Sequence, residues 1–332
     1  MKTALITGIC GFVGSSVAIK LVEKGIQVIG VDLSDKPKNK KLADLIADGR
    51  VKIWKGDLNS FDFSSLERVD YVFQIAGKVS PWGDIRGFDK INVEGTKRVI
   101  DYAHQEGVSS FLYLSSVAVY GFGGYVDLTE EAPKNPFDNP YSISKLRAET
   151  MVVEECKKIG LPYVIIRPGN VYGPYDYTSS THIYSKIEAG NMPYVDKGKY
   201  KSCFVYVDNL AEAIVTAGIT DKAWNQDFNI TDGFGETLDD YFSLVAKEMV
   251  VKNKFISIKA PLAKTVAALV EGFYKLLKIK KAPLITKFST YQNCVDYHFS
   301  IEKARNVLGF SPNVTLEEGV KRTVEWYKTL KD

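Results

Sequence analysis

Ala4-Leu5-Ile6-Thr7-Gly8-Ile9-Cys10-Gly11-Phe12-Val13-Gly14 is the stretch on which the reading of the fold turns. A short apolar run is followed at once by glycines at 8, 11 and 14, and then by a helical run from Ser15 to Glu23. Strand, glycine turn and helix in that order aim free backbone N–H groups and a positive dipole end at the place where a pyrophosphate can sit. The glycines let the backbone come close to it. Gly25 closes the helix, residues 26–31 read as the next strand, and Asp32 stands at its end, 18 residues past Gly14. An acid near that spacing hydrogen-bonds an adenosine ribose. A carboxylate there repels a 2′-phosphate, so NAD is expected in preference to NADP. Lys36, Lys38, Lys40 and Lys41 blunt that argument, and they read as a solvated loop rather than a phosphate clamp.

Outward from this unit the alternation of strand and helix continues. Residues 51–54 form a strand ending at Gly56-Asp57-Leu58, and residues 70–76 form one ending at Ala76-Gly77. A helix over 92–104 leads to the strand 111–114, which ends at Ser115-Ser116. A helix from Tyr141 to about Lys158 leads to the strand 163–166, which runs into Arg167-Pro168. Apolar strands alternating with helices predict an α/β protein, a Rossmann-type doubly wound parallel sheet covered on both faces. Ligands bind at the carboxyl ends of such strands. The expected cofactor residues are Gly8, Gly11, Phe12, Val13, Gly14, Asp32, Asp57, Leu58, Ala76, Gly77, Tyr141, Lys145, Pro168 and Val171. For Asp57 two readings stand level: it caps a turn, or it accepts from an adenine amine.

Beyond Pro168 breakers crowd the chain, and helices at about 180–189, 209–220, 238–250, 260–279 and 316–330 predominate. Some of these pieces cannot extend a parallel sheet. The expectation is a cofactor domain over 1–168, with a chain return around 203–230, and a smaller, mostly helical substrate lobe over 169–332. In 260–279 an apolar stripe (Leu262, Val266, Leu269, Val270, Phe273, Leu276, Leu277) opposes Lys264, Glu271, Lys275 and Lys278. The favoured reading is a surface helix packed on the small lobe. The sharper one is a lid over an apolar substrate, or a weak contact with a membrane surface.

Tyr141-Ser142-Ile143-Ser144-Lys145 supplies the chemistry. Tyr141 and Lys145 are four apart and share a helix face. An ammonium beside a phenol favours the phenolate, so the Tyr141 pKa is expected to fall toward neutrality, where it serves as a general acid or base. Such a pair is common on solvated helices. The glycine turn, Asp32 and Ser115-Ser116 give it weight.

Composition sets outer bounds. The chain has 332 residues, 45% of them hydrophobic and 25% charged, ample for a core. A net charge of +3 gives no reason to expect a nucleic-acid partner. Cys10, Cys156, Cys203 and Cys294 show no pairing pattern and suit reduced thiols in the cytoplasm. His104, His182 and His298 lie far apart, in no metal-ligand spacing, and no metal is expected. Only Met1 and Lys2 precede the first strand, so no secretory leader is expected.

These residues together resemble the extended short-chain dehydrogenase/reductases, over nearly the whole chain. The motifs agree in order: Thr7-Gly8-x-x-Gly11-x-x-Gly14, Asp32, Gly56-Asp57-Leu58, Asn92-Val93-x-Gly95-Thr96 and Ser115-Ser116-x-x-Val119-Tyr120-Gly121. Tyr141-x-x-x-Lys145 and Arg167-Pro168-x-Asn170-Val171-Tyr172-Gly173-Pro174 follow. The resemblance implies Tyr141 as proton donor or acceptor. Lys145 lowers its pKa and bonds the nicotinamide ribose, and Ser116 bonds the reacting oxygen. Ser116, Tyr141 and Asn170 meet the substrate, and Ser115 and Asn92 have supporting places. Nucleotide-sugar epimerases and dehydratases usually carry an Arg-Asp pair where this chain has Ser202-Cys203. The run 202–211, Asn229-Ile230-Thr231-Asp232-Gly233, the apolar insertion at 260–279 and the C-terminal motifs are more similar to the 3β-hydroxysteroid dehydrogenase branch. Lys197, Lys199 or Lys201 stand near enough in sequence to replace the arginine. The implied activity is NAD-dependent interconversion of a secondary alcohol and a ketone on an apolar, steroid-like substrate. The alternatives are a nucleotide-sugar 4-epimerase or dehydratase with tightly bound NAD, and a non-catalytic NAD-binding protein. The resemblance further implies a homodimer through the helices at 92–104 and 141–158.

Overall fold

A computed structural model describes residues 2–252 and 255–331. Its centre is a seven-stranded sheet of β1 (Thr3–Thr7), β2 (Gln27–Asp32), β3 (Val51–Lys55), β4 (Tyr71–Gln74), β5 (Ser110–Leu114), β6 (Tyr163–Pro168) and β7 (Gln226–Ile230). The strand order is β7-β6-β5-β4-β1-β2-β3 and every pairing is parallel. The order reverses between β1 and β4, which opens a crevice at their carboxyl ends.

Strand side chains alternate between two cores, as a period of two requires. Ala4, Ile6, Val28, Leu112 and Val164 face a layer holding α1 (Phe12–Glu23), α2 (Lys40–Ala47) and α5 (Val207–Ile219). Leu5, Ile29, Phe111, Tyr113 and Ile165 face the opposite layer, with α3 (Gly95–Glu106) and α4 (Pro140–Ile159). A third cluster, with Tyr172, Tyr184, Phe204, Tyr241, Phe242, Val320 and Val324, lies outside the sheet and closes over its carboxyl edge.

Three expectations need correction. Lys40 and Lys41 are not in a loop: they open α2, whose N-cap Asn39 accepts from the Lys41 and Leu42 N–H groups. The helix expected at 92–104 begins differently. It starts earlier, with α geometry over Ile85–Asp89, passes through a π turn at Lys90–Glu94, and resumes α geometry at Gly95. Helix α6 (Ala260–Leu276) exists, but it does not pack by its apolar stripe. Its buried residues are Ala263, Ala267 and Glu271, while Leu262, Leu269, Phe273 and Leu276 are exposed. Small alanines let the helix lie close to the lobe, which leaves the large side chains outside.

Candidate active site

A cavity of about 1350 Å³ runs along the carboxyl edge of the sheet and under the smaller lobe. Gly8, Gly11, Phe12, Val13, Gly14, Asp32, Asp57, Leu58, Ala76, Gly77, Ser116, Tyr141, Lys145, Pro168, Asn170 and Val171 all line it. Every site residue expected from the sequence therefore meets in one place.

The dinucleotide end has the features such a ligand needs. Gly8 has φ +71°, and a Cβ there would come within 2.9 Å of the Ala76 Cα. A Cβ on Gly14 would stand 2.1 Å from the Gly8 carbonyl oxygen. Any side chain at either place would fill the cradle. Gly11 is the N-cap of α1 and has no side chain to satisfy its first N–H groups. The Asp32 carboxylate is held in place: Oδ2 accepts from the Cys10 N–H at 2.9 Å and Oδ1 from the Ser34 N–H at 3.0 Å. Lys36 and Lys38 line the same end, and the Lys38 ammonium rests 4.3 Å from the centre of the Tyr177 ring. Asp57 caps its own turn, accepting from the Asn59 N–H at 2.9 Å, which holds its carboxyl below the usual range. It also borders the cavity. These residues fit an NAD molecule.

The reactive groups are positioned by local sequence. Asn139-Pro140 starts α4: the Asn139 Oδ1 accepts from the Tyr141 N–H at 2.9 Å, and its Nδ2 donates to the Pro81 carbonyl at 2.8 Å. Proline at the first helical position needs no N–H partner. Tyr141 is half-buried, its ring edge-on to Phe288, and its phenol hydrogen-bonds the Ser116 hydroxyl. Lys145 is 3% exposed, with Nζ donating to the Leu114 carbonyl at 2.7 Å. Asn92, set by the π turn, accepts from the Lys78 N–H at 2.7 Å and donates to the Ser144 hydroxyl at 2.9 Å. Ser115 borders the cavity beside Ser116, but its hydroxyl is committed to a buried cluster, donating to Glu149 at 2.7 Å.

The electrostatics differ from the sequence expectation. Burial raises the Tyr141 pKa above its ordinary value, and the Ser116 hydrogen bond offsets only part of that. Burial lowers Lys145 to about 8, against a smaller opposing pull from Glu149. A spacing of four brings the two groups to one face, but the low dielectric disfavours the charge on each.

The substrate end is predominantly apolar. Tyr194, Phe204, Tyr241, Phe242, Ile258, Leu262, Val266 and Phe288 line it. Among the described residues no arginine does. Lys197, Lys199 and Lys201 also lie outside the cavity lining. His182 and Lys186 line it instead, which sequence reasoning missed. Asn170 is fixed from both sides, donating to Ser202 at 3.3 Å and accepting from Gln292 at 2.8 Å. Gln292 and Phe288 come from a loop-bounded helix (Lys287–Gln292) with no periodic signal to announce them.

A doubly wound parallel sheet with this cradle at its switch point, and Ser116, Tyr141 and Lys145 lining the same cavity, is the arrangement of an extended short-chain dehydrogenase/reductase. The chain belongs to the NAD dependent epimerase/dehydratase family, whose profile matches residues 4–231. It is an NAD-dependent enzyme acting on CH–OH groups. It is 29% identical over 306 residues to 3beta-hydroxysteroid-dehydrogenase/decarboxylase isoform 1 of Arabidopsis thaliana, covering 87% of this chain and 70% of that protein. It is 28% identical to the 2-alkyl-3-oxoalkanoate reductase of Stenotrophomonas maltophilia, over 96% of this chain and 97% of that one. Among solved structures it is similar to UDP-glucose 4-epimerase of Thermotoga maritima with UDP-glucose. There the TM-score is 0.77 at 26% identity, over 99% of this chain and 100% of the other.

Proposed function

We propose that the enzyme interconverts a secondary alcohol and a ketone on an apolar, steroid-sized substrate. The observation that carries this reading is the apolar, arginine-free lining of the substrate end, with Ser202 and Cys203 in place of an anion-gripping pair. The relatives named for a hydroxysteroid and for an alkyl oxoalkanoate support it. In this reading residues 1–168, with the return around 203–230, carry the cofactor, and 169–332 mainly the substrate. A homodimer through the helices at 92–104 and 141–158 is part of the same reading.

Ser116, Tyr141 and Lys145 do the chemistry. NAD, when bound, supplies a two-electron hydride acceptor or donor. The Tyr141 phenol and the Ser116 hydroxyl both reach the reacting oxygen. In reduction the phenol gives its proton to the ketone oxygen as charge builds there. In oxidation the phenolate takes the hydroxyl proton. Ser116 fixes the oxygen and stabilises its charge. Lys145 binds the ribose hydroxyls and holds positive charge beside the phenol.

One observation favours a second reading, a nucleotide-sugar 4-epimerase or dehydratase. Lys186 lines the substrate end as a cation able to meet a diphosphate. The test offers purified protein and NAD a panel of hydroxysteroids and long-chain secondary alcohols, and separately UDP-hexoses with product analysis. NADH accumulating with an apolar alcohol establishes the proposal. Sugar conversion without net NADH, abolished by Lys186→Ala, establishes the second reading. Tight NAD binding with neither turnover leaves a non-catalytic NAD-binding protein.

A further inference from the structure

Helix α6 is amphipathic the wrong way round for a packed surface helix. Leu262, Leu269, Phe273 and Leu276 recur along one face and are 59%, 69%, 57% and 79% exposed. Leu277 and Leu284 extend the apolar surface just beyond the helix, the latter 83% exposed. The one carboxylate between residues 259 and 287, Glu271, points inward, where its Oε1 accepts from the Lys287 N–H at 2.5 Å. Seven lysines share that stretch, so it carries a net +6 in a chain whose total is +3. Lys275, Lys278, Lys280 and Lys281 are exposed. The end of the segment is held to the body of the protein, because the Trp82 indole donates to the Ile279 carbonyl at 3.2 Å.

We propose that this face rests on an anionic lipid bilayer. The leucines and Phe273 enter the acyl boundary and the lysine ammoniums sit at the level of the phosphates. Monomeric proteins rarely leave a contiguous run of large apolar side chains bare. Charge selects what covers it: a second copy would bring seven lysines against seven, each copy with one inward carboxylate. The cavity gives an independent reason. Leu262, Leu284 and Ile285 line the cavity and are also exposed, so the cavity reaches the surface through the patch. A bilayer against that opening covers the apolar surface and leaves an apolar molecule a dry route inward. This inference concerns the outer surface, and its test does not depend on the substrate or on turnover.

The test is flotation of the full-length protein with phosphatidylcholine vesicles, with and without roughly 30 mol% phosphatidylglycerol. The protein is expected to float with the anionic vesicles, and roughly tenfold less with the neutral ones or in about 0.5 M salt. Leu269→Glu/Phe273→Glu and Lys278→Glu/Lys280→Glu/Lys281→Glu should each lose that binding by roughly tenfold or more. Both should keep the wild-type thermal midpoint and NAD affinity, because the altered positions are exposed. No binding by the wild type, or equal binding by the variants, overturns the proposal. So does a change of oligomeric state in Leu269→Glu/Phe273→Glu, which would make the patch an interface between copies.

Discussion

Arg167 meets Glu149 through two hydrogen bonds, Nε to Oε2 at 3.1 Å and Nη2 to Oε1 at 2.9 Å, with both side chains shut off from water. The pair joins the end of β6 to α4, one turn beyond Lys145. Ser115 donates to the same carboxylate, and Asp227 bridges Arg167 to Lys303. Burial works against the Glu149 charge, but Arg167 and Lys134 hold its pKa below the usual range. Removing one member strands the other charges. Glu149→Gln is expected to destabilise the fold by about 3 kcal/mol in urea unfolding. A loss below about 0.5 kcal/mol would mean that water already reaches the cluster.

Tyr141→Phe should bind NAD as the wild type does and lose roughly 10²- to 10⁴-fold in kcat. The raised phenol pKa gives a directional signature. Reduction uses the neutral phenol and should vary little between about pH 6 and 8, whereas oxidation needs the phenolate and should climb with pH. Steady-state rates in both directions check this, and an oxidation rate flat in pH would remove Tyr141 as the base.

Lys145 makes stability depend on pH in a definite sense. Its folded pKa of about 8 lies below the ordinary 10.5. The unfolded chain therefore binds more protons between those values, and stability rises with pH across that window. Below about pH 8 the buried ammonium costs about 3 kcal/mol. Lys145→Met should be more stable than the wild type at pH 7, by about 1 to 3 kcal/mol, and inactive. Its advantage should shrink by pH 10. Chemical denaturation at the two pH values decides it: an advantage that does not change with pH points to packing instead.

Asp32→Ala should relax cofactor choice. The anchored carboxylate repels a 2′-phosphate, and Lys36 and Lys38 stand ready at the same end of the cavity. Titration should show NADP affinity rising by roughly tenfold while NAD affinity falls. Unchanged NADP affinity would place the ribose elsewhere.

Much of this was legible in the sequence because it is written locally. The glycine turn, Asp32 and the Asn139-Pro140 cap act within a few residues of where they stand. Strand alternation is a local pattern too. Other features depend on what surrounds a residue. The stripe of α6 announces a face but not which side of the helix meets the protein, and Ala263, Ala267 and Glu271 took the inner side. The spacing of Tyr141 and Lys145 carries proximity but not dielectric. Lys186 stands on the helix expected at 180–189, but the sequence does not say which face of it meets the cavity, and Phe288 and Gln292 sit on a helix of six residues, too short to show a period.

The π turn at Lys90–Glu94 works as a one-residue shim in the helix that carries Asn92. Deleting a residue there would let the segment rewind as an ordinary α-helix, turning what precedes it by about 100° relative to α3. Asn92 would then swing off Ser144 and the Lys78 backbone while the sheet stayed as it is. Length in this short segment is therefore under tighter constraint than its side chains, and homologous chains should tolerate substitution there more readily than a gap.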